Sequence, residues 1–179
     1  MAAWVRLVAS LGLAALVLVG CATDGLPTRS VTAATARPVM TVSPAVNQTR
    51  AELVSVLSAA SLVLADTQVP VRPAESALLA AAPRAVFQVT LPADPTRGFI
   101  VVYEFSDSSR ASEAAAEEQL YLASGPGRVQ TPEGTVHVLR QVGPTVVLYD
   151  WLPGVAKDAS APKIQVALET LGVGYPIAR

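Results

Sequence analysis

The stretch TVHVLRQVGPTVVLYDWL, residues 135–152, decides the fold of this chain. Two runs rich in β-branched and aromatic residues flank Gly143 and Pro144, which is the pattern of two antiparallel strands joined by a tight turn. A turn centred on these two residues places His137 directly opposite Asp150. A shift of the turn by one residue would separate that pair.

Similar patterns on both sides of this hairpin predict the other elements. Ser43 and Pro44 are typical of a helix start, and apolar residues then recur at helical spacing, so we expect a helix from about residue 45. Residues 61–65 either end that helix or form a short strand. The remaining predictions are a helix over 74–82, a hairpin with strands at 85–91 and 99–105, an alanine-rich helix capped near residue 107 that ends before the Gly-Pro-Gly of 125–127, and a final helix over 158–171.

The order of these elements favours an α+β fold. The strands of each pair are joined by short loops, which antiparallel neighbours allow and parallel neighbours do not. We expect an antiparallel sheet of four to five strands with helices packed on one or both faces. A single domain over residues 44–179 would contain it.

Alternation along the strands predicts two faces of this sheet. The first is apolar and aromatic, and we expect it to form the core: Phe87, Val89, Val101, Tyr103, Phe105, Val136, Val138, Val147, Tyr149 and Trp151. The second mixes apolar and polar side chains: Gln88, Ile100, Val102, Glu104, His137, Leu139, Gln141, Val146, Leu148 and Asp150. The second face is too apolar to be solvated, so either a helix covers it, with the first helix as the candidate, or a partner or ligand binds there.

The N-terminus has the order of a secretory signal. The first six residues carry one positive charge, Arg6, and no acid, and an uncharged apolar run over 7–19 follows. As a helix this run would be roughly 20 Å long, short of the ~30 Å hydrocarbon core of a bilayer. We therefore expect an export signal and not a permanent transmembrane helix.

The apolar run ends in Leu18-Val19-Gly20-Cys21, which resembles the lipobox of bacterial lipoproteins. The resemblance implies cleavage after Gly20, transfer of a diacylglycerol to the Cys21 thiol, and a domain held by acyl chains on a membrane outside the cytoplasm. Residues 1–20 are then a signal peptide. Residues 21–43, rich in Thr, Ala, Ser and Pro, are a lipidated flexible tether. Whether the inner or an outer membrane carries the protein stays open.

Two other interpretations of the N-terminus also stay open. Gly20 and Ala22 fit the small-residue rule of an ordinary secretory cleavage site, and an uncleaved membrane anchor would begin in the same way. Cys21 is the only cysteine, so no disulfide within the chain can stabilise the fold. In outline residues 45–179 resemble small lipoproteins of unassigned function that pair an alanine-rich helix with hairpins such as VYEF and VVLYDW, which implies no activity.

His137 with Asp150 is the candidate pair for chemistry. A carboxylate can orient an imidazole as in general-base catalysis, but no Ser or Thr near these strands has the surroundings of a nucleophile, so we favour a structural cross-strand pair.

With one histidine and one cysteine in the chain, we expect neither a metal site nor a cofactor. Trp151 could present an aromatic edge to a ligand, although its place on the first face favours packing. Three glutamates share a helix face that we expect to be solvated: Glu113, Glu117 and Glu118.

The charge balance excludes one class of function. A formal net charge of −1, from 13 basic and 14 acidic residues, gives no electrostatic footprint for nucleic acid.

Taken together, these patterns lead us to expect a non-catalytic, membrane-tethered protein of the cell envelope that binds a partner protein or a small ligand. The alternatives are an envelope hydrolase that uses His137 and Asp150, and a structural subunit of a membrane complex.

Overall fold

The computed structural model describes residues 43–178, so the predicted signal peptide, Cys21 and the tether up to residue 42 lie outside the described part. Five helices are described, at Pro44–Ala59 (α1), Ala77–Ala81 (α2), Ser108–Ala123 (α3), Gly125–Gln130 (α4) and Ala161–Leu168 (α5). Six strands accompany them, at Leu64–Asp66 (β1), Arg84–Val89 (β2), Phe99–Glu104 (β3), Val136–Val142 (β4), Thr145–Trp151 (β5) and Val173–Gly174 (β6). A 3-10 turn covers Pro153–Val155. No helix within residues 43–178 has the length and apolarity needed to cross a membrane.

The strands form one antiparallel sheet in the order β1-β2-β3-β5-β4-β6. The α+β prediction is confirmed, but the described sheet has six strands and not four to five. The strand alternative for residues 61–65 corresponds to β1, and the strand beyond the expected number is β6; the two are only three and two residues long. Strands this short carry too little alternation to be recognised with confidence from a sequence.

The hairpin of β4 and β5 has the predicted register. Val138 pairs with Tyr149 and His137 with Asp150. Gly143 has a φ of +54°, which suits the first central position of a two-residue turn, and Pro144 follows with its fixed negative φ.

Two helix starts are also as predicted. The Ser43 hydroxyl accepts the Val46 N–H at 3.2 Å, and Asp107 Oδ1 accepts the Arg110 N–H at 2.9 Å. These bonds satisfy backbone donors that the first helical turn leaves unpaired. The hydrogen bond from Arg110 also lowers the pKa of the Asp107 carboxyl below its usual value.

Two helix predictions were wrong in extent. The second helix spans only Ala77–Ala81 and the last only Ala161–Leu168, and the residues before each, 74–76 and 158–160, are not helical. The alanine-rich helix ends before the Gly-Pro-Gly of 125–127 as predicted, at Ala123, but these residues also open α4, which was not predicted. Pro126 suits the first turn of that helix, and a Cβ on Gly127 would lie only 2.8 Å from the Cα of Leu122.

Helices cover both faces of the sheet, which therefore has a core on each side. The first core lies under α1 and α5 and includes Leu53, Leu57, Phe87, Val89, Ile100, Val102, Val138, Val147, Tyr149, Ile164 and Leu168. The second core lies under α2 and α3 and includes Leu79, Val101, Tyr103, Ala111, Ala114, Ala115, Leu122, Leu139, Val146 and Leu148. Burial of both faces explains why the strands contain apolar residues at successive positions.

The predicted sheet faces were wrong for β3. Ile100 pairs with both Phe87 and Tyr149, so it lies on the first face, and Val101 and Tyr103 lie on the second. The nine-residue loop between the strands, residues 90–98, does not fix their relative phase as a two-residue turn does. The prediction that the first helix covers the second face was also wrong, because α1 packs on the first face and α3 on the second.

Glu118 of α3 is fully buried, which corrects the prediction of a solvated glutamate face. Its Oε2 accepts the Ser76 N–H at 2.7 Å, and Glu117 Oε1 accepts the Leu78 N–H at 3.1 Å. Two side chains of α3 therefore cap the N-terminus of α2, where Ser76 makes no cap of its own. Glu113, by contrast, is exposed and pairs with Arg110.

Burial raises the pKa of the Glu118 carboxyl from its usual 4.5, although the hydrogen bonds from Ser76 oppose the shift. Its Oε1 is buried without a hydrogen-bond partner. A folded-state pKa above the unfolded value means that the ionised form disfavours the folded state. Below about pH 4.5, ionisation of Glu118 therefore does not reduce the stability of the fold. The reduction in stability grows as the pH rises through the folded-state pKa.

We predict that Glu118→Gln raises the free energy of unfolding at pH 7, because glutamine keeps an acceptor for Ser76 without a buried charge. The gain disappears below pH 4.5. Glu118→Ala leaves a buried N–H unpaired and costs about 1–3 kcal/mol. Urea unfolding at several pH values measures these effects, and Glu113→Gln, on the exposed side of α3, is the neutral control. A lower stability of Glu118→Gln than of the native chain at pH 7 would contradict the prediction.

Candidate functional site

A cavity opens at the end of the sheet where β5 finishes and β3 begins, and its volume is about 230 Å³. Three segments enclose it together with the strand ends. They are the loop over 90–98, the loop over 152–160 and the chain that leads into α2. The apolar lining includes Val71, Leu91, Phe99, Leu148, Trp151 and Leu152.

Trp151 forms an aromatic wall of the cavity. The ring packs partly against the first core, as the sequence predicted. Its indole N–H donates to Gln165 Oε1 at 3.1 Å, which ties the polar edge of the ring to α5. The ring therefore contributes apolar surface both to the core and to the cavity.

Two aspartates hold together the loops at the mouth of the cavity. Asp158 Oδ2 accepts the Ala93 N–H at 2.9 Å, and Asp94 Oδ2 accepts the Lys157 N–H at 3.4 Å. Each loop thus supplies a carboxylate to a backbone amide of the other, and we call this arrangement the loop clamp. Arg97 Nε lies 3.3 Å from Asp94 Oδ2 and balances its charge at the rim.

The clamp residue Asp158 is held in its ionised form. Hydrogen bonds from the N–H groups of Ala93 and Ser160 lower the pKa of the Asp158 carboxyl below its usual 3.8. Hydrogen bonding to a carboxylate favours the charged state. Asp158 is therefore ionised, and able to accept both N–H groups, throughout the neutral range.

Asp150 and His137 form the predicted pair, with Asp150 Oδ1 2.7 Å from His137 Nδ1. The His137 side chain is 8% exposed and that of Asp150 22%. Asp150 lines the cavity, whereas His137 lines two separate clefts at the β4 edge. Within residues 43–178, the second carboxylate oxygen of Asp150 has no hydrogen-bond partner.

Tyr149 is the second polar group on the cavity wall, and its side chain is 1% exposed. Its hydroxyl has no hydrogen-bond partner in the part of the chain that the structure describes. Among the described residues, two side-chain atoms are sealed from solvent and have no hydrogen-bond partner, Ser76 Oγ and Glu118 Oε1. The Tyr149 hydroxyl is not one of them, and Tyr149 is among the residues that line the cavity. Burial and the charge of Asp150 raise the pKa of this phenol.

The cleft beside His137 does not contain an activated hydroxyl among its described lining residues. Thr131 Oγ1 donates to the Gly127 carbonyl at 3.3 Å, and Thr135 Oγ1 donates to the Pro132 carbonyl at 2.7 Å. A nucleophilic hydroxyl has to donate to its base instead. The geometry therefore favours a structural cross-strand role for His137 and Asp150.

No group of three or more His, Cys, Asp or Glu side chains within residues 43–178 could hold a metal ion. The chain matches no protein-family model, no curated protein and no solved structure. The candidate site therefore depends on the geometry of the described residues.

Sequence reasoning identified Trp151 and Asp150 but assigned neither to a cavity, and it placed Tyr149 in the core alone. The loop clamp was missed as well. Asp94 and Asp158 lie 64 positions apart in loops whose approach depends on the whole sheet. The aspartates themselves carried no periodic or motif signal.

We predict that Asp158→Ala speeds hydrogen exchange of the Ala93 amide, because that N–H loses its acceptor. In the native chain, protection of this amide persists as the pH falls to 3.8 and is lost only as the pH falls through the lower folded-state pKa. Exchange measured by NMR checks both effects. Asp107→Ala, which removes a cap from α3, is the control and leaves Ala93 unchanged. Equal protection of Ala93 in both variants would count against the clamp.

Proposed function

We propose that this chain is a lipid-anchored, non-catalytic protein of the cell envelope whose domain binds a small, mainly apolar molecule in the cavity at the end of the sheet. The observation that carries the proposal is the cavity itself. It combines an apolar, partly aromatic lining with two polar side chains, Tyr149 and Asp150, whose phenol oxygen and second carboxylate oxygen have no hydrogen-bond partner in the described chain. Apolar walls with a few polar groups are the usual composition of ligand sites.

The size of the cavity limits the ligand. Its 230 Å³ exceeds the ~150 Å³ of an apolar cavity that accepts benzene and is below the ~300–1,000 Å³ of pockets for drug-sized molecules. A single aromatic ring or a short branched chain with one polar substituent has the appropriate size. Peptides and lipids with long acyl chains are too large to be enclosed.

The loop clamp supports binding because it fixes the mouth of the cavity in the absence of a ligand. Asp94 and Asp158 each bond the opposite loop. Binding then requires little ordering of the loops, which reduces the entropic cost of association. A clamp that served stability alone would not need to surround an apolar opening.

The sheet face that the sequence suggested as a binding surface is not the site we propose. Leu139, Val146 and Leu148 on that face are buried under α2 and α3. A partner could reach them only by displacing a helix. The cavity, by contrast, is open beside the sheet end.

The membrane anchor is proposed from the sequence Leu18-Val19-Gly20-Cys21. With several acyl chains on Cys21, at about 0.8 kcal/mol for each buried methylene, the attachment would be stable. Residues 22–42 would separate the domain from the bilayer and leave the mouth of the cavity accessible.

We predict that Ala156→Phe abolishes binding of indole, a neutral ring of suitable size, because the added ring fills the cavity that Ala156 lines. Indole should raise the melting temperature of the native chain in lipid vesicles, since a ligand that binds only the folded state stabilises it. Val155→Phe is the matched control. Val155 is the preceding residue, is 43% exposed and does not line the cavity. Equal stabilisation of both variants by indole would contradict binding in the cavity.

We also predict that Cys21→Ser moves the chain from the membrane fraction to the soluble fraction and removes incorporation of an alkyne-tagged fatty acid. The hydroxyl of serine is a poor nucleophile compared with a thiolate. Ala22→Ser is the control, because it introduces the same side chain at the next position and keeps the thiol. A Cys21→Ser chain that stays on the membrane would overturn the anchor.

A further inference from the structure

The polar groups of the cavity lie close to each other in the sequence but on opposite faces of β5. Tyr149 belongs to the first face and Asp150 to the second, and both line the cavity because it lies at the strand end, where the two faces meet. A strand places successive side chains on opposite faces, so only a site at a strand end can use both. The cavity therefore has two polar groups that approach its contents from different sides.

The cavity lining includes a carboxylate oxygen that has no hydrogen-bond partner among the described residues. The second oxygen of Asp150 accepts and cannot donate when ionised, and the Tyr149 hydroxyl can do either. The other charged residues on the lining are Asp94 and Arg97, which pair with each other at the rim. His137 bonds the first oxygen of Asp150 and is not among the residues that line the cavity.

The walls add a second preference. Phe99 and Trp151 both line the cavity, and aromatic faces attract cations, tryptophan more strongly than phenylalanine. An anionic ligand would meet the Asp150 carboxylate without a free cation to offset it, because Arg97 is paired with Asp94. A cation with an apolar body satisfies both the carboxylate and the rings.

We propose that the ligand of this cavity is a small protonated amine with an apolar body, whose ammonium group donates to the second carboxylate oxygen of Asp150. This inference rests on the proposed ligand-binding function of the cavity. An ammonium group is a charged donor and therefore matches a carboxylate oxygen that has no donor of its own. The apolar body lies against Phe99 and Trp151.

The test compares three probes that share a ring and differ in the head group: benzylammonium, benzyl alcohol and benzoate. Equilibrium dialysis against the full chain in phosphatidylcholine vesicles, corrected with protein-free vesicles, measures each affinity. We expect benzylammonium to bind about 10-fold or more tightly than benzyl alcohol, the range of one hydrogen bond to a charged group. Benzoate should show no binding above the correction.

Two isosteric variants locate the recognition. Asp150→Asn should lower the affinity for benzylammonium about 10-fold or more and leave benzyl alcohol within about threefold, because asparagine keeps an acceptor for His137. Tyr149→Phe, which changes the opposite face of β5, should leave the affinity for benzylammonium within about threefold. Melting temperatures of both variants establish that they are folded, and Asp66→Asn, an exposed aspartate that pairs with Arg50, is the matched charge control.

The outcomes separate this inference from the proposal on which it rests. If benzyl alcohol binds as tightly as benzylammonium and Ala156→Phe abolishes both, the cavity binds ligands but the amine preference is wrong. If Asp150→Asn leaves the preference for benzylammonium intact, the assignment to Asp150 is overturned. If no probe binds the native chain more tightly than Ala156→Phe, the proposed function fails together with the inference.

Discussion

The register between β4 and β5 is the constraint on which the rest of the structure depends. It is fixed by the two-residue turn at Gly143 and Pro144, where glycine supplies the positive φ and proline the negative one. A shift by one residue would exchange the two faces of a strand that is buried on both sides. Because β5 is central in the sheet, β3 aligns on it, and β2 and β1 follow. The cavity lies where this alignment ends, at the C-terminal end of β5. Tyr149 and Asp150 lie there on opposite faces of the strand.

Burial of both sheet faces has a consequence for the helices. The first core depends on long aliphatic side chains from α1 and α5, such as Leu53, Leu57 and Ile164. The second core is closed by the alanines of α3, which let the helix approach the sheet closely. A close approach leaves little space for a polar side chain, and Glu118 is nonetheless buried there because it caps α2. The chain that leads from β1 to α2 is thereby attached to α3, and its residues Val71 and Pro73 complete one side of the cavity.

Local signals predicted much of this fold, and longer-range geometry accounts for what they missed. The caps of Ser43 and Asp107 and the turn at Gly143 are decided by residues within a few positions, so the sequence determines them directly. The phase of β3 is set across a nine-residue loop, and alternation within β3 cannot show which face is which when Ile100, Val101 and Val102 are all buried. For the site, the His137–Asp150 pair followed from the turn. The cavity did not, because loops brought together by Asp94 and Asp158 build it.

The charge distribution decides how recognition at such a cavity would operate. With a net charge of −1, the chain has no strong long-range field that could steer a cation toward the cavity. Discrimination between an amine and a neutral analogue would therefore arise at contact, from the Asp150 carboxylate with 22% of its side chain exposed. Partly buried charge pairs are screened less by salt than exposed ones. A preference that depends on Asp150 should thus survive at physiological ionic strength, where attraction to scattered surface carboxylates would be largely lost.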